Sequence, residues 1–385
     1  MLNQLAACPV CGSLAHSPAI SHRTGLTTDL RTSSFPLEKI QCEVCGLVRS
    51  ANTDFLESFY QESYRKAESD VITSVLNGDQ TVAFSSLIEE WINTIAGPHL
   101  GPMRSVLEIG CGDGRLLNRL KGKRKVGLEP SRYLFELASK NCPNCHLENT
   151  GIESYDSKET FDVVLAVNVF EHLPDPKLFL IKTANLLNTE GVALLIYPTQ
   201  EQFNYDVCFV DHLFHMRLGH LKYLAEEAGL TVLKQEIGYK SYQVANAVLL
   251  KKNTGQSQAT GRKPDYLDNE NPHLMIDIFR SFDEVISKFK GHKRIVAFGY
   301  GELSKVFNAY TQNFDCIEYF IDDFTTSTDG RVMGFDKAQE SGILQNALLV
   351  FLVNPYYRQH LGKRLQAASG LSHIYYPIEK ELITL

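Results

Sequence analysis

"RSVLEIGCGDG", residues 104–114, decides the fold. An apolar run too short for a helix, Val106 to Ile109, meets glycines at every second position, Gly110, Gly112 and Gly114, and a helical pattern runs from Arg115 to about Leu120. A buried strand, a tight turn and a helix form the unit that brings backbone close to a bound ligand.

The same pattern repeats down the chain. "KVGLEP" reads as the next strand and ends in Glu129, 15 residues past the last glycine, where an acid suits ribose hydroxyls. "FDVVLAVNVFEHL", residues 161–173, gives a strand ending at Asn168 and a polar turn, and "GVALLIYP" gives another. Strands alternating with helices predict a mostly parallel sheet. A G-x-G-x-G turn alone also serves dinucleotides, but the spacing of the third glycine departs from G-x-G-x-x-G.

Upstream, "CPVC" (8–11) and "CEVC" (42–45) are two C-x-x-C pairs, each followed by glycine, Gly12 and Gly46. Glycine permits the turn that points backbone N–H groups at thiolates, and four soft thiolates in a closed cage select zinc as a structural ion. Cys8, Cys11, Cys42 and Cys45 are the expected ligands. A third pair, Cys142 and Cys145, has no partner pair and is expected as loop or partly buried thiols.

Downstream, residues 251–273 are polar and punctuated by glycine and proline, which marks a linker. Beyond it, "KRIVAFGYGELSK", "CIEYFIDDF" and "NALLVFLVNP" repeat the strand–turn–helix pattern. Gly299 and Gly301 open a nucleotide-type turn, although Ser304 replaces the third glycine. The expected domains are 1–65 for the cysteine segment, 66–252 for the central α/β domain, 253–273 for the linker and 274–385 for a second Rossmann-like domain.

Composition narrows the partners. The 385 residues are 44% hydrophobic and 22% charged, without an apolar run long enough to span a membrane, and the start shows no secretory signal. Nine cysteines, an odd number, argue for a reducing, cytoplasmic setting. A net charge of −7 supplies no field for phosphate backbones, so nucleic acid and membrane are not expected partners. The basic "KGKRK" (121–125) reads as a solvated loop.

With these motifs in place, "LEIGCGDG", "GLEP" and "VNVFEHL" resemble the first, second and fourth motifs of the class I S-adenosylmethionine-dependent methyltransferases. The resemblance assigns the cofactor to Glu108, Gly110, Gly112, Gly114, Glu129 and Asn168. The order of cysteine segment, methyltransferase domain and second α/β domain is similar, over nearly the whole chain, to the sugar C-methyltransferases of deoxysugar biosynthesis. That likeness implies a structural zinc, S-adenosylmethionine, and a nucleotide-linked 4-keto sugar as acceptor.

Forming a C–C bond beside a ketone needs a base for the α-proton and a group to stabilise the enolate. "VDHLFHM", residues 210–216, resembles the family's acid–histidine motif. It implies His212 as general base, Asp211 orienting its imidazole or binding sugar, and His172 facing the same pocket. Asp211 stands where the family commonly has glutamate, His215 where it has tyrosine, and Phe209 and Val210 where it has a hydroxyl or imidazole. Tyr60 and Tyr64 match positions where relatives line the active site with tyrosines. Other acceptors stay open on these residues: an O- or N-methyltransferase for a different small molecule, a zinc-ribbon RNA methyltransferase, or a scaffold that binds without catalysing.

Overall fold

A computed structural model describes residues 6–53, 59, 64–66, 73–77, 80–99, 105–253, 264–325, 330–358, 361, 365 and 370–385. The chain divides into two compact units, Met1–Ala19 with Glu38–Asn269, and Ile20–Leu37 with Glu270–Leu385. The paired cysteines and the central glycine turn belong to the first unit. Tyr60 lies outside the described residues.

Within the cysteine segment, β1 (Leu37–Cys42) enters the first unit at Glu38 and pairs antiparallel with β2 (Val48–Ser50), Lys39 facing Ser50. Helix α1 (Phe84–Ala96) then places Leu87, Ile88, Trp91, Ile92 and Ile95 on one buried face, the spacing of an amphipathic helix. The elements that follow are β3 (Ser105–Ile109), α2 (Arg115–Arg119), β4 (Arg124–Leu128), α3 (Arg132–Asn141), β5 (His146–Glu148), β6 (Phe161–Val167), α4 (Pro176–Leu186), β7 (Leu187–Pro198), β8 (Phe214–His215), α5 (Leu218–Glu227), β9 (Leu230–Tyr239) and β10 (Tyr242–Lys252).

Seven of these strands form one sheet in the order β5-β4-β3-β6-β7-β10-β9. From β5 to β7 the neighbours are parallel, and β10 runs antiparallel to both β7 and β9. The alternate residues Val163 and Leu165, Val192, Leu194 and Ile196, and Ala245, Ala247 and Leu249 share one core cluster with Trp91 and Ile92 of α1. Each large side chain buried there contributes about 1.5–3 kcal/mol.

Local signals explain where the helices start. Ser131 accepts from Leu134 N at the head of α3, and Asp175 accepts from Leu178 N with Pro176 in the first turn of α4. Strand order reverses between β3 and β6, so the turns after these two strands flank a crevice at the carboxyl edge of the sheet. Open α/β sheets bind ligands in that crevice.

The second unit contains α6 (Asn271–Phe289), β11 (Ile295–Phe298), α7 (Glu302–Tyr310), β12 (Tyr319–Ile321), β13 (Val332–Met333), α8 (Phe335–Glu340), β14 (Leu348–Phe351), β15 (His373–Tyr376) and β16 (Glu381–Thr384). Its six-stranded sheet runs β13-β12-β11-β14-β15-β16, parallel except for the last pair. The expected second α/β fold is present. In its turn, Ser304 Oγ donates to Gly299 O, and Asp322 accepts from the amide nitrogens of Tyr300, Phe324 and Thr325. Asp322 therefore braces its own loop.

Cys142 and Cys145 differ from expectation. They are joined as a disulfide, with Cα atoms 5.5 Å apart and Cys142 buried. The end of α3 closes into a turn in which Cys145 N donates to Cys142 O, which carries the two sulfurs together. Among the described residues no helix is long and apolar enough to cross a membrane.

Candidate active site

The crevice at the sheet edge is a cavity of about 550 Å³. Glu108, Gly110, Gly112, Glu129 and Asn168 all line it, so five of the six residues expected to meet a cofactor share one wall. Gly114 plays a different part. At φ 75° it caps α2, and a Cβ there would lie 2.9 Å from Ala138 Cα, so it sets the approach of α2 to α3.

Gly110 makes the turn possible. Its φ is 66°, and a Cβ would sit 2.5 Å from Val169 Cγ2. An L-residue costs about 1–2 kcal/mol in that region before any clash. Gly110→Ala is therefore expected to weaken S-adenosylhomocysteine binding about tenfold or more, read by calorimetry; unchanged affinity would show that the turn is not the cofactor's seat.

The two acids differ in their partners. Glu129 accepts from Gly112 N at 2.9 Å and Ser131 N at 2.8 Å, and burial still pushes its carboxyl up to about 7. Glu108 Oε2 is buried without a hydrogen-bond partner, and burial, followed by the charges of Asp113 and Glu129, raises it well above the usual carboxylate range. Such a group suits a donor arriving with a ligand, such as the amino group of an amino acid. Asn168, at φ 51°, accepts from Tyr242 OH at 2.9 Å. Tyr64 and Arg65 line the same cavity.

His172, on the turn after β6, also lines the cavity. Its Nδ1–H donates to Asp211 O at 2.8 Å, which leaves Nε2 as the ring's other nitrogen. Burial, followed by the charge of His212, lowers its pKa to about 3 and keeps the ring neutral. The rings of His172 and His212 meet edge to face with centroids 4.8 Å apart.

The expected partnership of Asp211 with His212 is replaced by another. The Asp211 carboxylate approaches His172, at 3.9 Å from Nδ1, whereas Asp206 Oδ2 lies 3.5 Å from His212 Nδ1 and accepts from His215 Nδ1 at 2.8 Å. The short 3-10 turn at Asp206–Cys208 brings Asp206 back beneath the two imidazoles. Burial works against it, but His215 and then His212 hold its carboxyl well below the usual range. Burial likewise opposes charging of His212, yet Asp206 and then Glu171 carry it above the ordinary histidine value.

Lys39 reaches this loop from the cysteine segment. Fully buried, its Nζ donates to Phe209 O at 2.7 Å, His212 O at 2.5 Å and Ser50 Oγ at 2.9 Å. Strand β8 pairs with β2, and Ser50 N donates to Leu213 O. The backbone carrying His212 is thus pinned from two sides. No local motif announces Lys39, which lies more than 160 residues upstream of the loop it holds.

The four paired cysteines converge. One sulfur from each of Cys8, Cys11, Cys42 and Cys45 lies within 4.8 Å of the others, with Cys8–Cys45 at 3.6 Å and Cys11–Cys42 at 3.5 Å. A tetrahedral zinc with bonds of about 2.3 Å needs sulfurs about 3.8 Å apart, so the donor set fits the ion. Gly12 and Gly46, at φ 74° and 78°, close the two turns onto Cys8 O and Cys42 O.

The methyltransferase-domain family profile matches residues 83–235, the stretch that carries the glycine turn and the histidine cluster. Residues 83–235 are a methyltransferase domain. The fold is the class I, S-adenosylmethionine-dependent type expected from the sequence. The ubiquinone biosynthesis O-methyltransferase of Bradyrhizobium diazoefficiens is 38% identical over 103 residues, 25% of this chain and 40% of that protein. The tRNA U34 carboxymethyltransferase of Vibrio campbellii is 25% identical over 196 residues, 47% of this chain and 60% of that one. Among solved structures, the magnesium protoporphyrin IX methyltransferase of Synechocystis PCC 6803 is 13% identical with a TM-score of 0.37, covering 46% of this chain and 90% of that one. The chain therefore spans 40% and 60% of the two curated relatives named.

Proposed function

We propose that the whole protein methylates a small molecule, and that the acceptor atom is a carbon beside a ketone, as in a nucleotide-linked keto-deoxysugar. The observation that carries this reading is the buried imidazole of His212, held over Asp206 and edge-on to His172, which lines the cavity of the glycine turn. Neither an ordinary solvated histidine nor a packing residue needs a buried carboxylate 3.5 Å from a ring nitrogen. S-adenosylmethionine supplies an electrophilic methyl group on a sulfonium.

In this reading Glu108 takes the cofactor's ammonium, Glu129 its ribose hydroxyls, and Gly110 and Gly112 let the backbone approach. His212 accepts the α-proton; the resulting carbanion carbon bonds to the methyl carbon, and the electrons of the old C–S bond leave with sulfur. Asp206 stabilises the imidazolium, and His172, held neutral, lines the cavity in which the acceptor sits. Cys8, Cys11, Cys42 and Cys45 hold a structural zinc. The net charge of −7 favours a small acceptor over RNA.

The ubiquinone relative is named for O-methylation, and that chemistry needs a hydroxyl proton removed rather than a carbon-bound one. The two separate in heavy water. With keto-sugar nucleotides and S-adenosylhomocysteine in place of the methyl donor, the α-hydrogen is expected to exchange for deuterium, seen by NMR. Methylation of a hydroxyl without any exchange at carbon would sink the carbanion reading.

A further inference from the structure

Glu171 is the most anomalous group in the site. It precedes His172, is 2% exposed, and neither carboxylate oxygen has a hydrogen-bond partner. A buried carboxylate left so is rare and costs several kcal/mol unless another charge compensates it. The groups facing it come from two loops. One oxygen of Glu171, one ring nitrogen of His172 and one of His212 lie within 4.8 Å of one another, and the charges of Asp206 and Asp211 also act on the His212 imidazole. The backbone fixes this arrangement, because Leu213 N donates to Glu171 O at 2.6 Å.

We infer that Glu171 is a positioning residue that acts through His212: the imidazole lies between two buried carboxylates, and Glu171 sets its proton affinity. The inference rests on the reading of His212 as proton acceptor. Once His212 has taken the substrate's proton, the imidazolium compensates the Glu171 carboxylate and is stabilised by it. Asp206 is already engaged with His215, so Glu171 is the carboxylate with capacity to respond. Burial pushes Glu171 up to about 7 against the pull of His212, and the two titrate as a pair.

The sign of the pH dependence follows. His212 must be neutral to accept a proton, so activity falls on the acid side as His212 protonates. Removing the Glu171 charge makes protonation harder, so the acid limb moves to lower pH and the plateau falls because the base is weaker. Histidine ¹³Cε1 resonances of the zinc-loaded, full-length protein, with His212 identified by loss in His212→Asn, test this directly. In Glu171→Gln the His212 titration is expected to fall by about one pH unit, the lower end of what a nearby buried charge produces. The acid limb of kcat/KM is expected to move with it.

An unmoved His212 resonance, with melting temperature and S-adenosylhomocysteine affinity intact, overturns the inference. So does a metal ion bound beyond the cysteine site and lost in Glu171→Gln, which would make the carboxylate a ligand. If the amide variant does not fold, Glu171→Asp is titrated instead; its charge sits one methylene back, so a smaller fall supports the pairing and none overturns it. The titration needs no acceptor, so a shifted His212 in a protein that exchanges no α-hydrogen keeps the pairing and removes only the carbanion reading.

Discussion

Replacing His212 by asparagine is expected to lower methyl transfer by roughly 10²- to 10⁴-fold, the usual contribution of a positioned general base. The loss should appear in kcat far more than in cofactor binding. His212 is absent from the wall formed by Gly110, Gly112 and Glu129, and its backbone carbonyl, which Lys39 grips, survives the substitution. S-adenosylhomocysteine affinity is therefore expected to stay within a few-fold of wild type. Deuterium exchange at the acceptor carbon should disappear together with turnover, because both need the same proton removal. A variant that keeps exchange while losing methyl transfer would move the base elsewhere in the cluster. His172, neutral and wall-lining, would be the next residue to examine.

The sequence showed the methyltransferase fold more fully than it showed the histidine cluster, and the reason is the range over which each is built. The glycine turn, Glu108, Glu129 and Asn168 are each fixed by a strand end, and a strand end is visible in a local apolar run. The same holds for the cysteine pairs, whose spacing and glycines are local. The partner of His212 is fixed instead by how a loop folds back. Asp211 is adjacent in sequence but turned towards His172, and Asp206, six residues earlier, is the carboxylate near the imidazole. Lys39 and Glu171 come from elements 173 and 41 positions away and announce themselves only through burial. The disulfide was missed for another reason: C-x-x-C is the same spacing for a ligand pair, a thiol pair and a bridge, and only the turn after α3 distinguishes them.

Disrupting the cysteine cluster is expected to have the second large effect, and its route runs through the same loop. Cys42→Ser leaves three thiolates and an open position, so the zinc that the four sulfurs fit should fall from one equivalent to a fraction, measured by metal analysis. Structural zinc supplies about 10–16 kcal/mol of apparent binding energy in isolated fingers at neutral pH, all of it coupled to folding. Even a loss of about 4 kcal/mol would lower the melting temperature by roughly 8–16 °C in a unit of this size. Activity should fall further than stability alone explains. Cys42 ends the strand that carries Lys39, β2 pairs with β8, and His220 Nε2–H donates to Cys45 O at 2.8 Å, so the loop bearing His212 is anchored on the cysteine turns. The glycine turn has its own anchors in β3 and α2. Below its melting point the variant is therefore expected to bind S-adenosylhomocysteine while turning over poorly. If Cys42→Ser melts with the wild type and retains turnover, the cysteines are not a folding centre and the His212 loop stands without them.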